Sequence, residues 1–300
     1  MLAWDNPLPV GSPGFWRVAE LRANSLVVIA IVVICQAMAT VAFQSATNNR
    51  IITPSIMGFE ALYVAVQTAS VFFLGAAGVV ALQGVPQFAL QLTIMVVFAM
   101  LLYGWLLSGK YGNMQVMLLV GIILGGGARV GVGIHAAAAD TERIRRPHRQ
   151  TVRLDLERRG GLPAAGCAPV CLAAGGSAWW RARRLNLVAM GRDVTTNLGL
   201  DHRREVMIVL FLVSVLMAVS TALIGPMTFL GFWSHAGVPV RGHPDHRYIF
   251  PVAVLTGFVI LTGRLRRAQE HLLRPGRGVD HHRGRRRRHV PHRDPAEGRL

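Results

Sequence analysis

Long apolar runs separated by short polar joints dominate the chain. They fall at residues 25–44, 56–75, 88–107, 114–128, 206–231 and 248–263, with a weaker seventh near 163–180. The first, SLVVIAIVVICQAMATVAFQ, holds twenty residues without a charge, and about twenty is the length at which a helix crosses roughly 30 Å of hydrocarbon. The pattern predicts an all-α, polytopic membrane protein. Between the first two runs lies a polar elbow, Ser45-Ala-Thr-Asn-Asn-Arg-Ile-Ile-Thr-Pro-Ser55.

Sparse charges give the spans a direction, because short loops carrying Lys or Arg tend to stay in the cytoplasm. Arg50 sits in the elbow and Lys110, the single lysine, follows the third run, whereas residues 76–87 between the second and third carry no charge. Residues 45–55 and 108–113 are therefore expected inside. Carrying the alternation forward exposes two gaps. The run at 114–128 leads outward, yet the next basic loop, Arg181 to Glu205, belongs inside again. The run from Val206 also ends outside, yet His246 and Arg247 carry a cytoplasmic signature, and residues 232–244 are too short and broken to cross.

Composition deepens the puzzle. The formal net charge is +17 although 52% of residues are hydrophobic. Residues 129–186 hold seven of the net positive charges and residues 264–300 hold eight, leaving one each for 1–128 and 187–263. The two basic blocks are rich in Arg, His, Gly, Pro and Ala and poor in aliphatic residues. The expected organisation is an external N-terminal segment (1–24), spanning helices (25–128), an aberrant Arg-rich segment in place of a loop and a helix (129–184), a cytoplasmic loop with further helices (185–263), and an aberrant basic tail (264–300). The opening MLAWDNPLPVGSPGFW has neither the basic head nor the apolar core of a cleavable signal.

Few motifs carry chemistry. Cys35 lies in an apolar run, and Cys167 and Cys171 stand four apart, the spacing of one helical face; no second Cys/His pair stands at zinc-ligand distance, so three unpaired thiols and no metal are expected. Gly104-Trp-Leu-Leu-Ser-Gly109-Lys110-Tyr111 follows a phosphate-loop pattern except that Tyr111 replaces the Ser or Thr that binds magnesium, and it sits at a helix end. Nucleotide binding therefore belongs to another subunit. Gly75/Gly78 and Gly121/Gly125 place small residues where helices pack closely. Gly225 and Pro226 predict a bend near the outer face, with Ser220, Thr221 and Thr228 available to satisfy freed carbonyls. The tail, with Arg285 to Arg288 in series, lacks the aromatic residues that stack on bases, and its histidines, from His281 to His292, lack acidic or thiol partners.

Three stretches closely resemble the permease subunits of iron-chelate (ferric siderophore) ABC importers, the family that also includes the cobalamin permeases. They are ATVAFQSATNNRIITPSIMGFEALYVAVQTASVFFLG, LNLVAMGRDVTTNLGLDHRREVMIVLFLVSVLMAVSTALIGPMTFLGF and HRYIFPVAVLTGFVILTG, which agree with the family in order and spacing over a little more than half of the chain. The resemblance implies ten membrane helices per subunit, a second permease subunit in a heterodimer, cytoplasmic ABC ATPase subunits, an external substrate-binding lipoprotein, a ferric siderophore as cargo, and a multi-pass location in the bacterial inner membrane. It implies no cofactor, no nucleic acid and no catalytic residue, since ATP is hydrolysed by the partner. It also makes Gly191, Arg192, Asp193, Asn197, Leu198 and Gly199 the loop that docks on the ATPase, and Asn48, Asn49, Arg50, Pro54 and Gly58 the signature of the cytoplasmic elbow. Glycines at the loop ends allow tight turns, and Arg192 and Asp193 offer charged contacts at a wet interface.

Measured against that family, the first helix is absent, the sixth and last are unrecognisable, and the eighth is disrupted. A local frame shift accounts for all but the missing start. Read one base later, Arg and His codons give aliphatic, Gly, Thr or acidic residues. With permitted codons His135 to Arg159 becomes MQRLLTPNEFAVLTGRLFASTWSVE, and the tail from Arg274 becomes a credible last helix; Trp233 to Arg241 shifts likewise. As written, the chain is expected not to transport. The competing expectation is a non-transport membrane protein whose Arg-rich arm binds anionic lipid or nucleic acid.

Overall fold

The computed structural model describes residues 11–60, 62–64, 66, 85–108, 123, 162–227, 230–232 and 245–272. Among them every regular element is helical. Helix α1 runs Pro13–Ala46, 34 residues. Its start is set by capping: Ser12 is extended, its Oγ accepts the Phe15 N–H at 3.2 Å, and Pro13 takes the first helical position, where no N–H is needed. The segment expected to precede the first span is thus helical from Pro13. Hydropathy sees only where a helix turns apolar, not where it begins.

The further helices are α2 (Val85–Ser108), α3 (Leu162–Trp180), α4 (Ala182–Val188), α5 (Arg192–Asn197), α6 (His202–Ile224) and α7 (His246–Leu272). The chain divides into two compact units, residues 1–261 and 262–300. The second, described to Leu272, holds the last turns of α7; the packing below is that of the first.

Helix α3 coincides with the weak seventh run near 163–180. It occupies the end of the segment read as Arg-rich, at the place where charge alternation requires a returning span, and its 19 residues carry no charge. At 1.5 Å per residue it is about 28 Å long. Gly, Ala and Pro stand where the other spans carry larger aliphatic residues, which made this run the weakest of the seven. Cys167, Cys171, Ala174 and Ala178 recur on one face and are buried, against α1 and α6. A Cβ added at Gly175 would meet Met38 Sδ of α1 at 3.2 Å, so small residues here set the helix spacing. The Sγ atoms of Cys35 and Cys171 lie 3.2 Å apart, and all three cysteines are unbridged.

Helix α6 is the centre of the bundle, packed on α1, α2 and α3. It buries Val206, Val209, Leu210, Val213, Leu216 and Met217. Facing outward are an apolar stripe on α2 (Leu90, Ile94, Val97, Phe98, Leu101) and another on α7 (Val252, Leu255, Val259). Apolar surface in continuous helical stripes suits hydrocarbon, not water. By length and composition Pro13–Thr47, His202–Ile224 and His246–Arg264 are able to cross a membrane.

The run at 206–231 is not one helix. α6 stops at Ile224, where Gly225 adopts φ 89° and its N–H bonds to Thr221 O at 2.8 Å, followed by Pro226. Thr221 Oγ1 meets the carbonyls of Met217 and Ala218, and Ser220 Oγ that of Met217. Residues 230–232 are helical again, and there a Cβ on Gly231 would run into Thr40 of α1. Thr228, Lys110, Tyr111, Gly75, Gly78, Gly121, Gly125, residues 129–161, residues 233–244 and the Arg-rich tail from 273 lie outside the described residues.

Candidate functional site

The elbow is built by its own residue types. At the end of α1 the Thr47 N–H bonds to Phe43 O at 2.9 Å, and Asn48 turns left-handed at φ 49°, which Asn tolerates better than most residues. Asn49 N–H reaches back to Gln44 O at 3.1 Å, while its Oδ1 accepts from Ile51 N at 3.0 Å. Gln44 Nε2 donates to Arg50 O at 2.6 Å, closing the loop over the helix end. Thr53 is extended, as a residue before proline must be; Pro54 opens a 3-10 turn through Met57, and Gly58 ends it at φ 97°. The signature residues thus shape backbone, leaving the Arg50 side chain exposed.

The loop expected to dock on an ATPase, Gly191 to Gly199, holds the short helix α5 and follows α4. Gly191 precedes α5 with φ 96° and ψ 172°, a conformation reserved almost entirely for glycine. Gly199, with φ 81°, follows it. Between them Arg192, Asp193, Asn197 and Leu198 are exposed, joined by Met190 and Val194. Apolar tips are thus interleaved with charge on this exposed stretch. Thr195 is fully buried behind it. Its hydroxyl lies 2.9 Å from Leu187 O and 2.6 Å from Gly191 O, with His202 Nδ1 at 3.3 Å, and pins α5 to α4.

Two polar webs fasten α4 to the bundle. Asp201 caps α6 by accepting the Arg204 N–H at 3.2 Å. One turn on, buried Glu205 accepts from Arg181 Nη2 and, at 3.0 Å, from Arg184 Nη1. The second web joins elements far apart in sequence. Asn186 Oδ1 accepts the backbone N–H of His246 at 3.0 Å and faces His246 Nδ1, while its Nδ2 donates to Asp245 Oδ1 at 3.0 Å. His246 Nε2 lies 2.5 Å from Ser45 Oγ, in the last turn of α1. The N–H of Arg247, then the Asn186 amide, hold the Asp245 carboxyl below the usual carboxylate range, so it is ionised at neutral pH.

These bonds gather the elbow, α4–α5 and the start of α7 at one end of the bundle, the three regions that the positive charges marked as cytoplasmic. Gly225 and Pro226 lie at the far end of α6. Ser45, Asn186, Thr195, Glu205 and Asp245 were not foreseen as site residues, and His246 only as a topological marker. Contacts across 60 and 201 positions leave no local spacing to read.

Residues 13–264 match the FecCD transport family. The chain is 40% identical over 269 residues to the petrobactin import system permease protein FatC of Bacillus anthracis, covering 87% of this chain and 74% of FatC. It is 30% identical over 233 residues to the petrobactin import system permease protein YclO of Bacillus subtilis, covering 76% and 69%. Among solved structures, a metal-chelate type ABC transporter in an inward-facing conformation superposes with a TM-score of 0.68 at 18% identity, over 88% of this chain and 83% of that one. The family match takes in every helix from α1 to α6 and α7 as far as Arg264, which favours a transport-family chain over a non-transport membrane protein. The chain belongs to the FecCD transport family and has the all-α fold of an ABC-importer permease.

Proposed function

We propose that this chain is one of two permease subunits of an ATP-driven importer that carries a petrobactin-type ferric siderophore across a bacterial inner membrane. The cargo reading rests on the 40% identity to FatC. The mechanistic reading rests on the exposed surface Met190 to Leu198, held by glycine turns at both ends and pinned from behind by Thr195. A partner ATPase docks there and supplies the energy. The permease makes and breaks no bond; it offers the cargo a path whose two ends open in turn, and differential binding of ATP to the two states drives the exchange. An external binding lipoprotein delivers the siderophore.

The test is petrobactin-dependent growth under iron limitation of a strain lacking its own petrobactin permease. Two forms are compared: the chain as written, and a form with residues 135–159, 233–241 and the tail from 274 restored to the frame one base on and the first helix of FatC joined at its start. Growth with the restored form alone is the expected result. Growth with the chain as written overturns the frame-shift reading, and growth with neither form, when both reach the membrane, overturns the assignment.

A further inference from the structure

The geometry points to His246 as a positioning residue: with Asn186 and Ser45 it forms the joint through which displacement of the ATPase-facing helix α5 reaches α1 and α7. This rests on the proposed function, and goes beyond it in naming the residues that carry the motion.

Three observations carry the inference. First, α5 is not free to move alone, because the buried Thr195 hydroxyl ties it to the carbonyl of Leu187 in α4. Second, the neighbour of Leu187, Asn186, turns the other way and bonds twice to His246 and once to Asp245. Third, the His246 ring is 3% exposed and uses its remaining nitrogen on Ser45 of α1. A push on α5 therefore meets α7 through Asn186 and α1 through the imidazole.

Hydrogen-bond arithmetic shows that the joint holds in either ring state. Asn186 Oδ1 already accepts from the His246 backbone, so Nδ1, facing the same oxygen, carries a proton. Ser45 has one hydroxyl proton and two takers, Val41 O at 2.9 Å and His246 Nε2 at 2.5 Å. With a neutral ring Ser45 donates to Nε2; with a cationic ring Nε2–H donates to Ser45, which turns its proton to Val41. The contact survives both, as a joint must and a pH switch must not.

The experiment uses the petrobactin importer reconstituted in liposomes with its partner permease and ATPases, built on whichever of the two forms transports. ATP hydrolysed per siderophore imported is read for His246→Ala, Asn186→Ala, the double variant, the mild Ser45→Ala, and His246→Gln, with Thr93→Ala on the outward face of α2 as control. A broken joint lets ATP turn over while transport fails, so the ratio should rise by about fivefold or more in His246→Ala and Asn186→Ala, the low end of usual coupling factors. The double variant should match the singles, and His246→Gln should recover part of the loss. A fall of hydrolysis and transport in step, in Ser45→Ala as in the stronger variants, marks a merely structural role and overturns the inference. So does an unchanged ratio in variants that assemble. A parent that hydrolyses ATP without importing counts against the proposed function instead.

Discussion

Gln36 of α1 donates through Nε2 to Ser220 Oγ of α6 at 2.9 Å, in the middle of the bundle, and the Ser220 hydroxyl in turn lies 3.0 Å from Met217 O. The pair is asymmetric. Ser220→Ala strips the acceptor from a Gln36 amide that is 1% exposed, at a cost of about 1–3 kcal/mol for a stranded buried donor. Gln36→Leu leaves Ser220 with its carbonyl partner and should cost less. Thermal unfolding of the purified permease in detergent should rank Ser220→Ala below Gln36→Leu; the reverse order would show that the amide matters for its volume.

Gly231 sits where α1 leaves no room. A Cβ there would run into Thr40 and lie 3.1 Å from the Gln36 carbonyl oxygen. Gly231→Ala should therefore destabilise by roughly 1–3 kcal/mol. Adding Thr40→Gly should relieve the side-chain clash but not the contact with the carbonyl, so rescue of the unfolding temperature should be partial.

Glycine matters at the loop proposed to dock on the ATPase for a different reason. Nothing lies within 4 Å of a Cβ built at Gly191, so Gly191→Ala meets no clash, only a disfavoured backbone at φ 96°, worth about 1–3 kcal/mol. Gly176, equally open but helical, should accept alanine without loss. Co-purification with the ATPase should fall for Gly191→Ala and hold for Gly176→Ala.

Around Glu205 the loss should follow exposure. The Arg184 side chain is 55% exposed and that of Arg181 24%, while Glu205 is 7%. Removing Arg184 should cost within about 1 kcal/mol, as an exposed pair does. Glu205→Ala leaves the largely covered Arg181 guanidinium without its carboxylate and should cost roughly 3 kcal/mol, the low end for breaking a buried pair, with Arg181→Ala between them. Equal unfolding temperatures for the three variants would refute this ordering.

The basic blocks make a prediction about the gene. Insertions or deletions are expected near the codons for residues 129–135, 232–243 and 264–274. A nucleotide sequence that runs through all three stretches in the given frame, matching an independent read of the same gene, ends the idea.

Local chemistry was legible in the sequence wherever one residue type answers one backbone need. Asn48, Pro54, Gly58, Gly191 and Gly199 each occupy a turn of the kind that residue favours. The helical runs were legible because hydrocarbon demands length and apolarity together. Helix α3 showed only as the weakest of the seven runs, because close packing rewards Gly, Ala and Ser where other spans carry Leu, Ile and Val. The joint at His246 escaped notice because Asn186 and Ser45 are neighbours only after folding. Ordinary polar residues become a site by being brought together, and their spacing in the chain carries no trace of it.

Helix α1 has no proline or glycine from Phe15 to Ala46, so it lacks the usual places for a kink. At 1.5 Å per residue its 34 residues make a rod about 51 Å long, more than the full 40–45 Å of a bilayer with its headgroups. One end bears Ser45 and the other bears Trp16, which is 65% exposed. A rod without a hinge cannot absorb a displacement along its length. A push on Ser45 along the axis therefore reaches Trp16 as well, so for axial motion the two ends of the rod share a single mechanical coordinate.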